Sequence, residues 1–486
     1  MAGIREININ RLNSKTGLFG ISCRGVIGLT KNTLRGGEGT ARLLFPGAFL
    51  WFVGIGGVGM ASLAKIAALR GFAVAGEDRK GEVADVFTET GVEVYPEGTD
   101  LPAGVSAVIY TAAVSPDHPS LERASARGVP LISRSDFLSY LMRDSPIRVT
   151  VAGSHGKTTV TAMLDRIFSH AGLSPTTVSG GTLGDGASFR VGAGDLFLVE
   201  ACEYTDSFLS FSPTHALLLN LELDHVDYFP DFAALSRSAG KYLAGAETRI
   251  VPPRLAGLAG AGRTLTFSVS EAGGDLFARE IREAPCGVSA RLVFRGNPAG
   301  ELSLPVPGLH NLANALAAIA AAYSVGVPIG AATAALRGFS LPDRRLTLRG
   351  TWGGALWYDD YAHHPSEIAA SISALRPLCR GRLTVAFQSH TYTRTKAELS
   401  GFAAALRTAD LVFVLPIFPA RETDDLGVTN ETLARAIGEK AAAVDGFGAA
   451  ARALKKAARR DDVMVVMGAG DAYKVFDYLG SSGLQA

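Results

Sequence analysis

The chain has 486 residues, of which 47% are hydrophobic and 19% are charged, and its 47 basic side chains balance 46 acidic ones to a net charge of +1. Glycine (56 residues) and proline (22 residues) are too few for a low-complexity or disordered chain. A net charge near zero argues against a protein that binds nucleic acid through a strongly basic surface. The length predicts about three domains.

The cysteines, at positions 23, 202, 286 and 379, lack the paired spacing of a zinc ribbon or a disulfide framework. The sequence has no run of about 18 uninterrupted apolar residues, so no membrane span is predicted. These features predict a cytoplasmic, multidomain α/β protein. We expect it to act without nucleic acid and without a membrane, as a monomer or a weak homodimer.

Residues 1–47 mix basic, small and polar residues and show no clear element pattern. The apolar stretch 17–29 is interrupted by Arg24 and has no clear cleavage site, which disfavours a signal peptide. We expect residues 1–47 to be an extension of uncertain order or the result of a misplaced translation start.

An apolar run of strand length, 48–53, leads into the glycine-rich loop 54–59 and then into a helical pattern. Such a loop binds anions, because the N–H groups at a helix N-terminus point at the ligand. A second predicted strand, 72–75, leads to Asp78, where a dinucleotide-binding fold places its ribose-binding acid. The pattern predicts a site for NAD or another nucleotide diphosphate, and a purely structural tight turn is the alternative. The candidate ligands are Gly54, Gly56, Gly57, Gly59 and Asp78.

Strand-like runs at 107–110 and 130–133 continue the alternation, and the strand 147–152 opens a new domain. It runs into the sequence G-S-H-G-K-T-T, which lacks only the first glycine of the full P-loop pattern, where Val151 stands. Lys157 can reach the β- and γ-phosphates of a nucleoside triphosphate, and the Thr158 hydroxyl can bind Mg²⁺. The predicted ATP-binding residues are Gly153, Ser154, His155, Gly156, Lys157, Thr158 and Thr159, although the pattern assigns no chemical role to His155.

Acidic residues follow the next two predicted strands, 196–199 and 216–219. Because ligands bind at the carboxyl ends of parallel strands, these residues are expected beside the P-loop. Glu200 and His225 are the candidate Mg²⁺ ligands together with Thr158. Glu203, Asp224 and Asp227 are open to a second interpretation as solvated charges. A triphosphate site next to a second nucleotide loop indicates a ligase, because a carboxylate must be phosphorylated before an amine can attack it.

Taken together, the two loops, the G-K-T-T sequence and the segment N-L-E-L-D-H-V-D resemble the Mur ligase family, the ATP-dependent amide ligases of peptidoglycan precursor synthesis. The resemblance extends in order over about residues 48–480. The later segments that carry it are 308–315, 344–345, 358–367, 387–395, 420–422 and 467–471. Segment 358–367, Y-D-D-Y-A-H-H-P-S-E, is similar to the branch of the family that adds L-alanine.

The resemblance implies an α/β fold of three domains after the extension of residues 1–47. These are an N-terminal Rossmann-like UDP-binding domain (48–147), a central P-loop ATPase-type mononucleotide-binding domain (148–342) and a C-terminal Rossmann-like domain (343–486) that closes over ATP and the amino acid. A hinge is expected near residues 340–343, where Pro342 restricts the chain. Further strands are predicted at 383–388, 411–416 and 463–467.

The implied reaction joins L-alanine to the lactoyl carboxylate of UDP-N-acetylmuramate through an acyl phosphate, with ATP and Mg²⁺ as cofactors. The implied catalytic residues are Lys157, Glu200, His225, His363 and Arg394. The implied further contacts to ATP are Asn311, Asn314, Arg344, Arg345 and Asp360. The resemblance also assigns Tyr361, His363 and Arg394 to the amino acid, and the 54–59 loop to the UDP pyrophosphate.

Several alternatives stay open. His363 and His364 could instead be structural, and a few relatives carry a second arginine where this chain has Thr391. Cys202-Glu203-Tyr204 replaces a more acidic stretch of better-known members, so the outer metal shell could differ. A sister ligase that recycles murein tripeptide has the same chemistry, whereas an NAD-dependent oxidoreductase or a nucleotide-binding regulator would leave Lys157 and Glu200 without a role.

Overall fold

The computed structural model describes residues 44–79, 87, 90–111, 113–115, 117–225, 228–270, 274–420 and 422–480. These residues form three β-sheets with helices packed on them, which confirms the predicted three-domain α/β fold. Most of the predicted extension of residues 1–47 lies outside the described residues. Leu44, within its last residues, is buried in the first domain, and its carbonyl accepts a hydrogen bond from the Tyr140 hydroxyl.

The first sheet has five parallel strands in the order β3-β2-β1-β4-β5. The central strand β1 is an apolar run because both of its faces are covered. The strands that follow β1 along the chain lie first on one side of it and then on the other, so the strand order reverses at β1. A crevice at the carboxyl end of such a strand suits a ligand, and the glycine-rich loop begins there. The strands are β1 (Phe49–Val53), β2 (Ala73–Asp78), β3 (Glu93–Pro96), β4 (Ala107–Tyr110) and β5 (Leu131–Ser133).

The second sheet has ten strands in the order β15-β14-β13-β12-β11-β10-β6-β9-β7-β8. Its parallel part places β6 between β10 and β9, so the P-loop and the two acidic segments leave the same edge of the sheet. Antiparallel pairs extend both ends, β7 with β8 and β13 through β15. The strands are β6 (Ile147–Ala152), β7 (Thr176–Val178), β8 (Phe189–Arg190), β9 (Leu196–Glu200), β10 (His215–Leu218), β11 (Thr248–Val251), β12 (Arg263–Ser268), β13 (Leu276–Ala284), β14 (Gly287–Phe294) and β15 (Asn297–Leu304).

The third sheet has six strands in the order β16-β17-β21-β18-β19-β20, and only the pair of β16 and β17 is antiparallel. The strands are β16 (Thr347–Trp352), β17 (Ala355–Asp360), β18 (Leu383–Phe387), β19 (Leu411–Val414), β20 (Ala441–Ala443) and β21 (Val463–Met467). The carboxyl ends of β17, β18 and β21 therefore meet at one edge, where the segments that begin at 361 and 388 continue the chain.

Helices connect the strands, and most bury one apolar face on a sheet. The described α-helices are α1 (Val58–Leu69), α2 (Pro119–Ala126), α3 (Arg134–Met142), α4 (Lys157–His170), α5 (Phe232–Ala244), α6 (Leu309–Val325), α7 (Ile329–Leu336), α8 (Pro365–Leu375), α9 (Tyr392–Ala397), α10 (Leu399–Leu406), α11 (Asn430–Ile437) and α12 (Phe447–Ala457). Helix α6 is rich in alanine and buried along most of its length, so it packs closely against α4 in the central domain. No described helix is long and apolar enough to cross a membrane.

The predicted strands differ from the observed ones mainly at their ends. The strands predicted at 107–110, 147–152 and 463–467 coincide with β4, β6 and β21. The strand predicted at 72–75 begins at Ala73 and continues to Asp78, because Gly76 and Glu77 still pair with β1. The strand predicted at 411–416 ends at Val414, before Pro416, which has no N–H for a ladder. Hydrogen-bond pairing sets these ends, and the apolar pattern does not encode it.

A short linker, residues 340–346, joins the second and third domains. It is tied to the central domain by the Asp343 N–H, which donates to Thr182 Oγ1 at 2.8 Å. Arg344 and Leu346 have φ angles of 59° and 46°, in the left-handed region that non-glycine residues rarely occupy. Residues 340–343 fall within this linker, and the hinge, like the domain boundaries at 147 and 342, stays a prediction.

Candidate functional site

The P-loop is fixed to the segment after β10 by Asn220. The Asn220 side chain accepts from the His155 N–H at 2.8 Å and donates to the His155 carbonyl at 3.0 Å. Gly156 is the N-cap of helix α4, with φ of 85°, and a Cβ there would lie 2.5 Å from Asn314 Oδ1. The loop therefore needs glycine at 156 both for its backbone angle and for the close approach of helix α6.

Lys157, the first residue of α4, is held by Glu203. Its Nζ donates to Glu203 Oε2 at 3.0 Å, and it also donates to the Gly153 carbonyl at 2.5 Å and the Ser154 carbonyl at 3.2 Å. Burial alone would lower the pKa of Lys157, but the Glu203 carboxylate raises it above its usual value. Lys157 is thus a permanent cation at the phosphate loop.

The structure brings two of the three predicted metal ligands into direct contact. Thr158 Oγ1 donates to Glu200 Oε1 at 3.1 Å, and Glu200 Oε2 accepts from the Gly180 N–H at 2.7 Å. His225 lies beside Glu203 instead, with 3.7 Å between Nε2 and Oε1. A hydroxyl, two carboxylates and an imidazole form a donor set that suits Mg²⁺, which prefers hard oxygen ligands.

A cavity of about 270 Å³ lies between the P-loop, helix α6 and the third domain. Its lining includes seven of the predicted ATP contacts: His155, Gly156, Thr159, Asn311, Asn314, Arg345 and Asp360. Asp360 Oδ2 is buried without a hydrogen-bond partner among the described residues, and burial raises the Asp360 pKa to about 6. An unpaired acceptor in a cavity suits a ligand that donates, such as a ribose hydroxyl.

The structure does not bring Arg344 to this cavity lining. Its Nη2 donates to the Gly468 carbonyl at 2.5 Å, and its guanidinium lies over the ring of Tyr473. Of the predicted arginine pair, only Arg345 faces the cavity. The sequence alone does not indicate which of the two arginines faces the cavity, because the directions of adjacent side chains depend on the backbone angles of the linker.

Five side chains, hereafter the interdomain network, connect the P-loop domain to the third domain: His155, Glu222, His364, Ser366 and Glu367. His155 lies between two carboxylates, with Nε2 3.2 Å from Glu222 Oε2 and Nδ1 3.1 Å from Glu367 Oε1. Burial would lower the pKa of His155, but these carboxylates raise it to about 9. The hydrogen bond from His155 in turn lowers the pKa of Glu222 to about 2. His155, which the sequence left without a role, is therefore an imidazolium at neutral pH.

His363 and His364 have different surroundings. The His364 ring caps helix α8 by accepting from the Ser366 N–H, which is a structural role. His363 Nδ1 lies 3.1 Å from the Tyr361 carbonyl and 3.2 Å from Glu367 Oε2, so Nδ1 carries the proton and Nε2 has a free lone pair. Burial lowers the pKa of His363 to about 4, which keeps the ring neutral.

Arg394, on helix α9, is paired with Asp224 from the central domain. Arg394 Nη2 donates to Asp224 Oδ1 at 2.9 Å, and Nε donates to the same oxygen at 3.2 Å. Although Asp224 is buried, Arg394 holds its pKa well below the usual range. Nη1 lies 3.3 Å from His390 Nδ1, so each of the three guanidinium nitrogens contacts a residue of the chain. Tyr361 lies nearby against His363, and its ring faces both Arg344 and Arg345.

The glycine-rich loop of the first domain is held by β2. Gly54 N–H donates to the Glu77 carbonyl at 2.9 Å, and Gly56 N–H donates to Asp78 Oδ2 at 2.8 Å. Gly57 precedes helix α1 as its N-cap, and Gly59 lies in its first turn. Asp78 thus organises the loop, and its contact with a ribose stays a prediction.

Sequence patterns missed several residues that shape this site. The patterns do not single out Glu222, Ser366 and Glu367, and they leave Glu203 and Asp224 open to a second interpretation, although all of these residues contact a predicted site residue. Their positions in the chain could have indicated them: Glu222 and Asp224 follow β10, Glu203 follows β9, and Ser366 and Glu367 lie at the start of α8. Arg134 gave no signal, because its place beside Gly59 depends on how α3 packs against α1.

Models of three domain families match the chain in order. The Mur ligase family catalytic domain matches residues 50–146, the Mur ligase middle domain matches residues 151–322, and the Mur ligase glutamate ligase domain matches residues 344–470.

Curated relatives and solved structures agree with these matches. The UDP-N-acetylmuramate–L-alanine ligase of Lachnospira eligens is 37% identical over 87% of this chain and 96% of its own length, and that of Sorangium cellulosum is 38% identical over 86% and 93%. The crystal structure of the UDP-N-acetylmuramate–alanine ligase of Thermotoga maritima matches 88% of this chain and 98% of its own, with a TM-score of 0.75 and 26% identity. A murein peptide ligase from Psychrobacter arcticus shares the fold, with a TM-score of 0.66 over 90% of this chain and 99% of its own, and 24% identity. The chain therefore belongs to the Mur ligase family.

Proposed function

We propose that the protein joins L-alanine to the lactoyl carboxylate of UDP-N-acetylmuramate, with conversion of ATP to ADP and phosphate, as a step of peptidoglycan precursor synthesis. The observation that carries this proposal is the cavity that the P-loop shares with the third domain, because it brings Gly156, Asn314 and Arg345 together from three separate segments. Membership of the family removes the oxidoreductase as an alternative.

In the first step a lactoyl carboxylate oxygen attacks the γ-phosphorus of ATP, the bond to the β-phosphate oxygen breaks, and ADP leaves. Lys157 and the loop N–H groups stabilise the negative charge on the transferring group. Glu203 holds Lys157 as a cation, so no proton has to be acquired before ATP binds. Mg²⁺ would add further charge neutralisation, and Thr158, Glu200, Glu203 and His225 are the residues that would hold it.

In the second step the amine of L-alanine attacks the acyl carbon, and phosphate leaves. The ammonium form must first give a proton to solvent to become a nucleophile, and the second proton that the nitrogen loses on forming the amide leaves with the phosphate. His363 can accept a hydrogen bond from the amine at Nε2, because Nδ1 donates to Tyr361. With its pKa lowered to about 4, the His363 ring is a poor base at neutral pH, although it can still accept a hydrogen bond. We therefore assign His363 to orientation of the amine. Arg394 would bind the alanine carboxylate, with Nη1 exchanging its contact with His390 for the substrate.

The first-domain loop would bind the pyrophosphate of the sugar nucleotide at the N-terminus of α1. The substrate would then extend from this loop toward Glu200 and Lys157. We also propose that the protein works in the cytoplasm, where ATP and sugar nucleotides are available, and the monomer or weak homodimer remains a prediction.

The test is phosphate release from ATP and Mg²⁺ with UDP-N-acetylmuramate and L-alanine, leaving out each component in turn. We expect release only when all are present, with the sugar nucleotide gaining the mass of one alanine residue. Release that accepts a murein tripeptide in place of alanine would instead identify the recycling ligase. No release from folded protein under any combination would contradict the proposed reaction.

A further inference from the structure

Arg134 begins helix α3 and points at the first turn of α1. Ser133 caps α3, with its Oγ accepting from the Asp136 N–H at 3.1 Å, so the position of Arg134 at the helix start is fixed. A Cβ built on Gly59 would lie 2.8 Å from Arg134 Nε and 2.9 Å from Nη2. The guanidinium therefore lies directly against the backbone of the glycine-rich loop.

The positive charge of Arg134 is poorly compensated. Its Nε is buried and has no hydrogen-bond partner among the described residues. Burial lowers the Arg134 pKa, and the Glu200 carboxylate at the carboxyl end of β9 opposes this effect. A buried donor without a partner costs free energy, which a bound anion recovers.

A second group of donors points to the same place. Val58 and Gly59 are the first residues of α1, and their N–H groups have no partner inside the helix. The helix has 12 residues, so the positive end of its dipole adds to the attraction for an anion. Loop donors and a guanidinium thus converge between the first domain and the Glu200 end of the central sheet.

We propose that Arg134 binds an anionic oxygen of the sugar nucleotide together with the N-terminus of α1. This inference rests on the proposed function and adds a specific binding residue to it. The pyrophosphate and the lactoyl carboxylate both carry such an oxygen. The contact with Gly59 favours the pyrophosphate, and the field of Glu200 disfavours a second carboxylate.

The test compares the wild-type protein with Arg134→Gln and Arg134→Lys in calorimetric titrations with UDP, UDP-N-acetylglucosamine and UDP-N-acetylmuramate. Only the last of these carries the lactoyl carboxylate. Arg143→Gln, on the C-cap of the same helix, is the matched control, because its side chain is 42% exposed and pairs with Asp144. Circular dichroism and unfolding midpoints establish that each variant is folded.

We expect Arg134→Gln to weaken all three ligands roughly 10- to 100-fold, the range for a lost hydrogen bond to a charged group. Arg134→Lys should recover part of this loss, since it keeps the charge but not the bidentate geometry. In turnover assays the KM for UDP-N-acetylmuramate should rise while the KM for ATP stays within about twofold. A merely structural role would move both KM values.

The remaining outcomes separate the two proposals. Weakening of UDP-N-acetylmuramate alone would support Arg134 as an anion ligand and identify the carboxylate as its partner. Equal binding of UDP by wild type and Arg134→Gln, together with an unchanged KM for the sugar nucleotide, would overturn the inference. Wild-type protein that binds none of the three ligands would instead contradict the proposed function itself.

Discussion

At the scale of single residues, the pair of Lys157 and Glu203 gives the clearest prediction. Lys157→Ala removes the cation that faces the transferring phosphoryl group, so we expect kcat to fall at least 10²- to 10³-fold, or about 3–4 kcal/mol of transition-state stabilisation. Phosphate release with all substrates present measures this. Lys241→Ala, an exposed lysine on α5, is the control and should leave turnover unchanged. Near-normal turnover of Lys157→Ala would contradict the assignment of the P-loop.

His363 gives a second prediction at this scale. His363→Ala removes the Nε2 acceptor that the proposed mechanism gives the amine, and we expect kcat to fall by about 10²-fold, the cost of a misplaced reacting group. The KM for ATP should change little, because His363 is not part of the cavity lining. His364→Ala, which removes the side-chain cap of α8, should mainly lower the unfolding midpoint. If the two variants had the same kinetic effect, His363 would have no separate role.

At the scale of elements, the start of helix α4 can be tested by a matched pair of glycines. Gly156 and Gly172 both have positive φ angles, of 85° and 76°, one at each end of this helix. A Cβ at 156 would meet Asn314, whereas nothing lies within 4 Å of one at 172. Each change to alanine should cost about 1 kcal/mol of stability through backbone strain. Only Gly156→Ala should also raise the KM for ATP, by roughly tenfold or more, and an equal effect of both on KM would contradict this account.

The sequence predicts elements well where one pattern decides them. The apolar runs of β4, β6 and β21 and the G-K-T-T start of α4 could be found, because strand length and loop chemistry are local. The sequence does not predict the antiparallel strands β13 to β15, because they lack a clear alternation: β13 has three buried residues followed by a largely exposed and charged stretch. Contacts such as Arg394 with Asp224 and Arg134 with Gly59 depend on how domains and helices pack, which no local pattern contains.

At the scale of the whole molecule, the interdomain network predicts a pH-dependent stability. Folding raises the pKa of His155 from 6.5 to about 9. A raised pKa stabilises the folded chain fully below pH 6.5, and this stabilisation is lost as the pH rises through 9. His155→Gln should therefore be less stable than wild type by about 3 kcal/mol at pH 6, and the difference should shrink strongly by pH 9.5.

Urea unfolding of both proteins without ATP, at several pH values, measures this difference, and groups that do not contact His155 titrate alike in both proteins and cancel. His170→Gln is a suitable control, because His170 is an exposed residue in the last turn of α4. The difference in unfolding free energy between wild type and His155→Gln should change between pH 6 and pH 9.5. A constant difference would show that His155 is not held as a cation by Glu222 and Glu367.

The linker between the second and third domains has a mechanical consequence. Arg344 and Leu346 both adopt left-handed backbone angles, and each such residue stores on the order of 1 kcal/mol. The contacts of His155 with Glu367 and of Arg394 with Asp224 hold the domains in the arrangement that keeps these angles. The backbone strain in the linker would therefore oppose those contacts between the domains. Separation of the two domains after the reaction would relieve this strain, which would favour the release of ADP and phosphate.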